Sequence, residues 1–246
     1  MSGLQERVAL VTGSSSGIGE AVARALAEQG ARVVINSSSS AAAGEAVAAS
    51  LPEAVYVQAS VATATGAERL VEKAAARWGH LDIVVNNAGT TERIPHADLD
   101  AATDEAWERI LQTNLMGTWW VSRAAVPHLR AAGGGCIVNI TSMAGVRPSG
   151  SSIPYAVSKA AINHLTRLMA KSLGPDVRVN AVAPGLIRTP WTEDWEDLHS
   201  AVAGLAPLRR SGDPDDVAAM VVALAASDYT TGEVVVVDGG LNLFGA

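Results

Sequence analysis

Cysteine occurs once, at Cys136, in a chain of 246 residues. A single thiol excludes an internal disulfide and any cysteine-based zinc site, and it suits a reducing compartment. Aromatic residues are scarce as well, with one Phe and three Tyr, so the core must be packed with small and branched side chains. Positive charge is in the minority. Eighteen Lys and Arg stand against 25 Asp and Glu, for a net charge of −7. Binding to nucleic acid or to an anionic membrane needs clustered cations, so neither partner is expected. No apolar run approaches the roughly 20 residues that cross a bilayer. The opening Met1-Ser-Gly-Leu-Gln-Glu-Arg7 leads straight into a strand-like run and does not read as a signal peptide. No group of His, Asp and Glu has metal-ligand spacing, so no metal is expected. These absences point to a soluble, cytoplasmic globular chain.

What is present is an alternation of strand and helix. Val/Ile-rich runs stand at Arg7–Thr12, Arg32–Asn36, Val55–Gln58, Asp82–Asn86, Cys136–Thr141, Val177–Ala183 and Glu233–Asp238. Several are apolar on consecutive residues, the pattern of strands covered on both faces. Helix-like stretches lie between them, among them Ile18–Gln29, Thr65–Arg77, Thr103–Leu129, Tyr155–Leu173 and Pro214–Ala226. Asp213 and Pro214 are an N-cap and first-turn signal for the last. Helix-separated strands pair in parallel through right-handed crossovers. The expected fold is therefore α/β: a Rossmann-type, doubly wound parallel sheet of about seven strands, with helices on both faces. Residues 1–246 read as a single domain.

The first strand ends in Thr12-Gly-Ser-Ser-Ser-Gly-Ile-Gly19 and runs directly into a helix. Gly13 permits a tight turn, Gly17 a close approach to a pyrophosphate, and Gly19 close packing of helix on sheet. The helix start then offers free N–H groups to phosphates. Ser15, Ser16 and Ile18 share this loop. Gly13-Ser-Ser-Ser-Gly17 also fits the G-x-S-x-G nucleophile elbow of hydrolases, with Ser15 as nucleophile. Against that, the elbow would sit on the first strand, Gly19 would have no role, and His199 is the only late histidine to serve it. No Gly-Lys-Ser/Thr follows, which excludes a Walker loop.

Past the second strand, where an acid would grip a ribose 2′-hydroxyl, the chain reads Asn36-Ser-Ser-Ser-Ser40. No carboxylate is there to repel a 2′-phosphate, and Ser37 and Ser38 offer hydroxyls, although no Arg or Lys accompanies them. This favours NADP(H) and leaves NAD(H) open. Tyr155 and Lys159 are four residues apart on one helix face. A cation beside a phenol favours phenolate, which would make the tyrosine a proton donor or acceptor near neutral pH. Ser142 closes the fifth strand, at the rim where open α/β sheets bind ligands, and its hydroxyl is placed to orient a carbonyl. Asn114 lies within a helical run, where a buried amide needs partners.

In order along the chain, Thr12-Gly-x-x-x-Gly-Ile-Gly19, Asn86-Asn-Ala-Gly89, Asn114, Ser142, Tyr155-x-x-x-Lys159, Pro184-Gly185 and Val237-Asp-Gly-Gly240 resemble the short-chain dehydrogenase/reductase family. Their layout is similar to that of its 3-oxoacyl-[acyl-carrier-protein] reductase branch. The resemblance implies an oxidoreductase that interconverts a ketone and a secondary alcohol by hydride transfer. In it Tyr155 is the acid/base, Lys159 holds the nicotinamide ribose and depresses the tyrosine pKa, Ser142 positions the reacting oxygen, and Asn114 supports a water leading to Lys159. It further implies that Asn87, Ala88 and Gly89 help fix the cofactor and that Pro184, Gly185, Ile187 and Thr189 flank the nicotinamide. Ser60 and Val61 stand where the family usually has an Asp against adenine. The segment 186–208 is similar to a substrate lid; in it Trp191 and Trp195, four residues apart, are expected to share one apolar face. Arg93, Met143, Arg147 and Ser149 are candidates to line the pocket. Family members are commonly homotetramers or homodimers. Two other readings stay open: an NAD(H)-dependent alcohol, sugar or steroid dehydrogenase, and a nucleotide-binding regulator without catalysis.

Overall fold

The computed structural model describes residues 3–243. Seven strands form one parallel sheet in the order β3-β2-β1-β4-β5-β6-β7. They are β1 (Val8–Val11), β2 (Arg32–Ser37), β3 (Ala54–Gln58), β4 (Ile83–Asn86), β5 (Gly135–Ile140), β6 (Val177–Pro184) and β7 (Val234–Val237). Each run read as a strand from its Val/Ile content is one, within two residues at either end.

The central strands are apolar on every residue because both faces are covered. Alternate side chains of β1 go to different cores: Ala9 and Val11 pack with helices α1 (Gly17–Glu28) and α8 (Pro214–Ala226), while Val8 and Leu10 pack with α3 (Ala64–Trp78) and α5 (Gly117–Ala131). The remaining helices are α2 (Ala41–Ala49), α4 (Asp104–Leu111), α6 (Ile153–Leu173) and α7 (Glu196–Leu205). Burying Val, Leu and Ile on both faces is worth about 1.5–3 kcal/mol per side chain and dominates the stability of such a sheet. Asp213 and Asp216 complete a capping box ahead of Pro214, as the start signal indicates.

Two departures bear on the site. The run Thr103–Leu129 is helical throughout, but α4 (to Leu111) and α5 are joined by a π turn, Gln112–Met116, within it. Helical periodicity does not report a single widened turn. Trp191 and Trp195 do not share a helical face. Trp191 sits in a 3₁₀ turn, Pro190–Thr192, and Trp195 is the N-cap of α7.

Candidate active site

The chain reverses direction in strand order between β1 and β4, and a cavity of about 1080 Å³ opens at the carboxyl ends of the strands there. Open α/β sheets bind ligands at this switch point. The cavity runs from the glycine loop, past Ser142 and Tyr155, to the segment carrying Trp191 and Trp195. Of the residues expected around a cofactor, all but Gly19 line it.

Gly19 acts from behind. A Cβ on it would lie 2.3 Å from the Gly13 carbonyl oxygen and 2.5 Å from Asn87 Nδ2. Gly13 has φ +62, and its own Cβ would meet Ala88 Cα at 2.8 Å. The glycine loop is thus pressed directly onto the turn after β4. Asn87 Nδ2 donates to the carbonyls of Thr12 and Gly13 at 3.0 and 2.9 Å, while Thr12 Oγ1 accepts from the Asn87 and Ala88 amides, both at 3.0 Å. At the start of α1, Ser16 makes no side-chain cap, so the first-turn amides face the cavity without one.

Asn36 is 1% exposed, and its side chain is spent within the protein. It donates to the carbonyls of Val57 and Ala59, each at 3.0 Å, and accepts from the Gly13 amide at 3.3 Å. It braces the loop against β2 and β3. Ser14, which carried no motif signal beyond its place among three serines, is fully buried and joins the same brace. Its hydroxyl donates to Val11 O at 2.7 Å and accepts from the Asn36 amide at 3.0 Å. Ser37 is paired with the Tyr56 hydroxyl at 2.7 Å, which leaves Ser38, Ser39 and Ser40 exposed ahead of α2, with Ser38 and Ser40 lining the cavity. Ser60 Oγ accepts from the Ala62 amide at 3.3 Å.

The four expected catalytic residues converge. Ser142 caps a 3₁₀ turn, Met143–Gly145, by accepting from the Ala144 amide at 3.1 Å, so its own proton is free to be donated. Tyr155 lies in the first turn of α6, started by Ser152 as N-cap with Pro154 following. Lys159, 4% exposed, donates to Ile140 O at 2.9 Å and stands 5.6 Å from the centre of the Tyr155 ring. Asn114 is buried in the π turn. Its Oδ1 accepts from the Thr90 amide at 2.8 Å, and its Nδ2 donates to Thr90 O and to Ser158 Oγ, both at 3.0 Å. Ser158 in turn donates to Tyr155 O at 2.7 Å. Ser158 was legible only as a spacer between tyrosine and lysine, yet it links the π turn to the reactive helix.

Burial raises the Tyr155 pKa, an effect that the facing Ser142 hydroxyl partly offsets, and burial lowers Lys159 to about 8. In this structure the Lys159 ammonium is held on the Ile140 carbonyl and over the ring, and burial sets the direction of the phenol's shift.

Further out, Trp191 meets the Tyr155 ring edge-on, with centroids 6.4 Å apart at 82°. The Arg93 guanidinium lies over Trp195 at 5.1 Å. Arg147 donates to Asn242 O at 2.9 Å. Asp238 accepts from the amides of Gly240 and Asn242 at 2.9 and 2.7 Å, which fixes the turn Leu241–Leu243 so that Leu241 lines the cavity. His199 is buried with both ring nitrogens engaged by Ser211 and Thr192, so it is no partner for Ser15. None of the lining residues is Asp or Glu, and the lysine and arginine side chains among them are Arg93 and Lys159.

A parallel seven-stranded sheet with a glycine loop at its switch point and a Ser/Tyr/Lys/Asn cluster beside it defines a dinucleotide-dependent oxidoreductase. The chain belongs to the short-chain dehydrogenase/reductase family. The family model described as "Enoyl-(Acyl carrier protein) reductase" matches residues 13–242. The chain is 55% identical over 239 residues to "Granaticin polyketide synthase putative ketoacyl reductase 2" of Streptomyces violaceoruber, covering 96% of each. It is 37% identical over 246 residues to the 3-oxoacyl-[acyl-carrier-protein] reductase of Thermotoga maritima, covering 97% of this chain and 98% of that one. A solved short-chain type dehydrogenase/reductase from Mycobacterium ulcerans superimposes with a TM-score of 0.93 at 34% identity, over 98% of this chain and 92% of its own.

Proposed function

We propose that this chain is an NADP(H)-preferring ketoreductase that reduces a ketone, in the manner of the 3-oxoacyl reductases, to a secondary alcohol. The observation that carries the reading is the convergence of Ser142, Tyr155 and Lys159 on one cavity, with the Ser142 hydroxyl free to donate.

The residues fit a nicotinamide dinucleotide. Gly13 and Gly19 clear a cradle that a Cβ would fill, the first-turn amides of α1 carry no side-chain cap, and the cavity has no carboxylate to repel phosphates. That cofactor, when bound, supplies the hydride for the carbonyl carbon. The chain's own residues do the rest. Ser142 and Tyr155 hydrogen-bond the substrate oxygen and fix the face it presents. Tyr155 gives its proton to the oxygen as negative charge develops there. Lys159 holds the cofactor's ribose hydroxyls and, as a cation, stabilises the phenolate left when the proton is given. Asn114, through Ser158 and the Tyr155 carbonyl, keeps the π turn and the reactive helix in register. Gly13, Ser15, Ser16, Gly17, Ile18, Ser60, Val61, Asn87, Ala88 and Gly89 serve the adenine and phosphate end, with Pro184, Gly185, Ile187 and Thr189 at the nicotinamide. Asn36 serves as a brace.

The preference for NADP(H) rests on Ser38 and Ser40 at the uncapped start of α2, with no acid in the lining. We read residues 1–246 as one catalytic domain with its lid at 186–208. Exposed Trp119, Val157 and Leu168 on α5 and α6 support a homotetramer or homodimer through those helices. Cytoplasmic residence is part of the same reading. The test follows NADPH and NADH consumption against a panel of β-ketoesters, simple ketones and an α,β-unsaturated thioester. NADPH-dependent reduction of the ketones is expected. A higher kcat/KM with NADH overturns the cofactor preference, and turnover confined to the unsaturated thioester overturns ketone reduction.

A further inference from the structure

The cavity carries a charge pattern opposite to that of the chain. The protein has 25 acidic and 18 basic residues, yet no acidic side chain lines the cavity. Lys159 is buried at the reactive centre. Arg93 is the other lining side chain with a permanent charge, and it stands against Trp195 of the 186–208 segment. The carboxylates next in sequence to Arg93 and Trp195 are taken by other arginines, Glu92 by Arg109 and Glu196 by Arg188. Among the described residues Arg93 has no salt-bridge partner, and its guanidinium carbon lies over the Trp195 ring, 5.1 Å from the centroid. Stacking on an aromatic face holds a guanidinium in place while leaving its edge N–H groups free for a bidentate acceptor.

We infer that Arg93, seated on Trp195, is the recognition point for an anionic group on the ketone. The inference rests on the ketoreductase reading above and deepens it. Substrates are then ketones whose reacting carbonyl reaches Ser142 and Tyr155 while a remote carboxylate or phosphate lies against Arg93. Trp191, edge-on to the phenol, walls the interval between the two. The shared chemistry is a planar or tetrahedral oxyanion, and it has two sources: the carboxylate of a free keto acid, or the phosphate of a phosphopantetheine arm.

The experiment uses pairs that differ in charge alone. One is 4-oxocyclohexanecarboxylate against its methyl ester; the other is acetoacetyl-4′-phosphopantetheine against acetoacetyl-pantetheine. For each pair the ratio of kcat/KM, charged over neutral, is measured with NADPH. At least one pair is expected to give a ratio of about tenfold or more, and the pair that does names the source. Arg93→Gln is expected to bring that ratio down by about the same factor. Raising the ionic strength from about 0.02 to about 0.5 M is expected to lower it in the unmodified enzyme, since screening weakens an exposed ion pair. Ratios near one in both pairs overturn the inference, as does a ratio insensitive to Arg93→Gln or, should that variant not fold, insensitive to salt. Failure to reduce any of the four compounds counts against the ketoreductase reading instead.

Discussion

The two ends of the cavity are built on different principles. At the phosphate end, backbone does the work: glycines bring main chain against main chain, and the polar side chains of Ser14, Asn36 and Asn87 are already committed to carbonyls and amides. At the substrate end, large side chains do it: Trp191, Trp195 and Arg93 project from turns, make few bonds, and are partly open to solvent. The first end is a rigid mould for one kind of ligand. The second is a set of exchangeable surfaces on a fixed frame, which is how one fold comes to serve many substrates.

Four perturbations sharpen that contrast, with Tyr155, at the seam between the ends, giving the largest effect. Tyr155→Phe removes the proton donor and should lower kcat for ketone reduction by about 10²–10⁴-fold, while the dissociation constant for NADPH, read by fluorescence, stays within about threefold. Turnover undiminished by that change breaks the acid role. At the phosphate end, Gly19→Ala drives a methyl group into the Gly13 carbonyl and Asn87. It should weaken cofactor binding by about tenfold or more and destabilise the fold by about 1–3 kcal/mol, measured by titration and by chemical unfolding.

Lys159 supplies a pH test. Its folded value of about 8 lies below the ordinary 10.5, so it is a cation below pH 8 and loses its proton as pH rises through that value. Ketone reduction should therefore fall along a limb near pH 8, and Lys159→Met should remove the limb along with most activity. The stability sign is the reverse. Between about pH 8 and 10.5 the unfolded chain binds the extra proton, so this group's burial cost is present in full below pH 8 and is relieved as pH rises through that window. The smallest effect belongs to the substrate end. Trp191→Ala should change KM for ketones by about three- to tenfold and leave NADPH affinity and melting temperature nearly unmoved, because the ring is 47% exposed. A loss of cofactor affinity equal to that of Gly19→Ala would erase the distinction between the two ends.

The same contrast governs what could be read before the structure. The phosphate end was readable because its requirements are local: Gly13, Gly17 and Gly19 follow a strand and precede a helix, and few other uses explain that spacing. The sheet was readable for a related reason, since strands covered on both faces leave consecutive Val and Ile. Asn36 carried a signal for its place but not for its bonds: it lines the cavity beside the serine run, and its amide also braces Val57, Ala59 and Gly13. The π turn around Asn114 left no trace, because one widened turn barely shifts helical periodicity. At the lid, a spacing of four residues between Trp191 and Trp195 implied one apolar face; both line the cavity, but from a short 3₁₀ turn started by Pro190 and from the N-cap of α7, not from one helix. Partnerships such as Arg93 with Trp195 join residues about a hundred positions apart, and no local pattern announces them.

The turn at Leu241–Leu243 has a practical corollary. Asp238 pins it from β7, Arg147 holds the Asn242 carbonyl from the loop after Ser142, and Leu241 is part of the cavity wall. Any change at Leu241–Leu243 therefore alters the cavity wall directly. Residues 3–7 approach the sheet at the amino end of β1, on the far side of the layer from the cavity. A surface tether placed beside the amino end of β1 therefore leaves the cavity turned toward the solution.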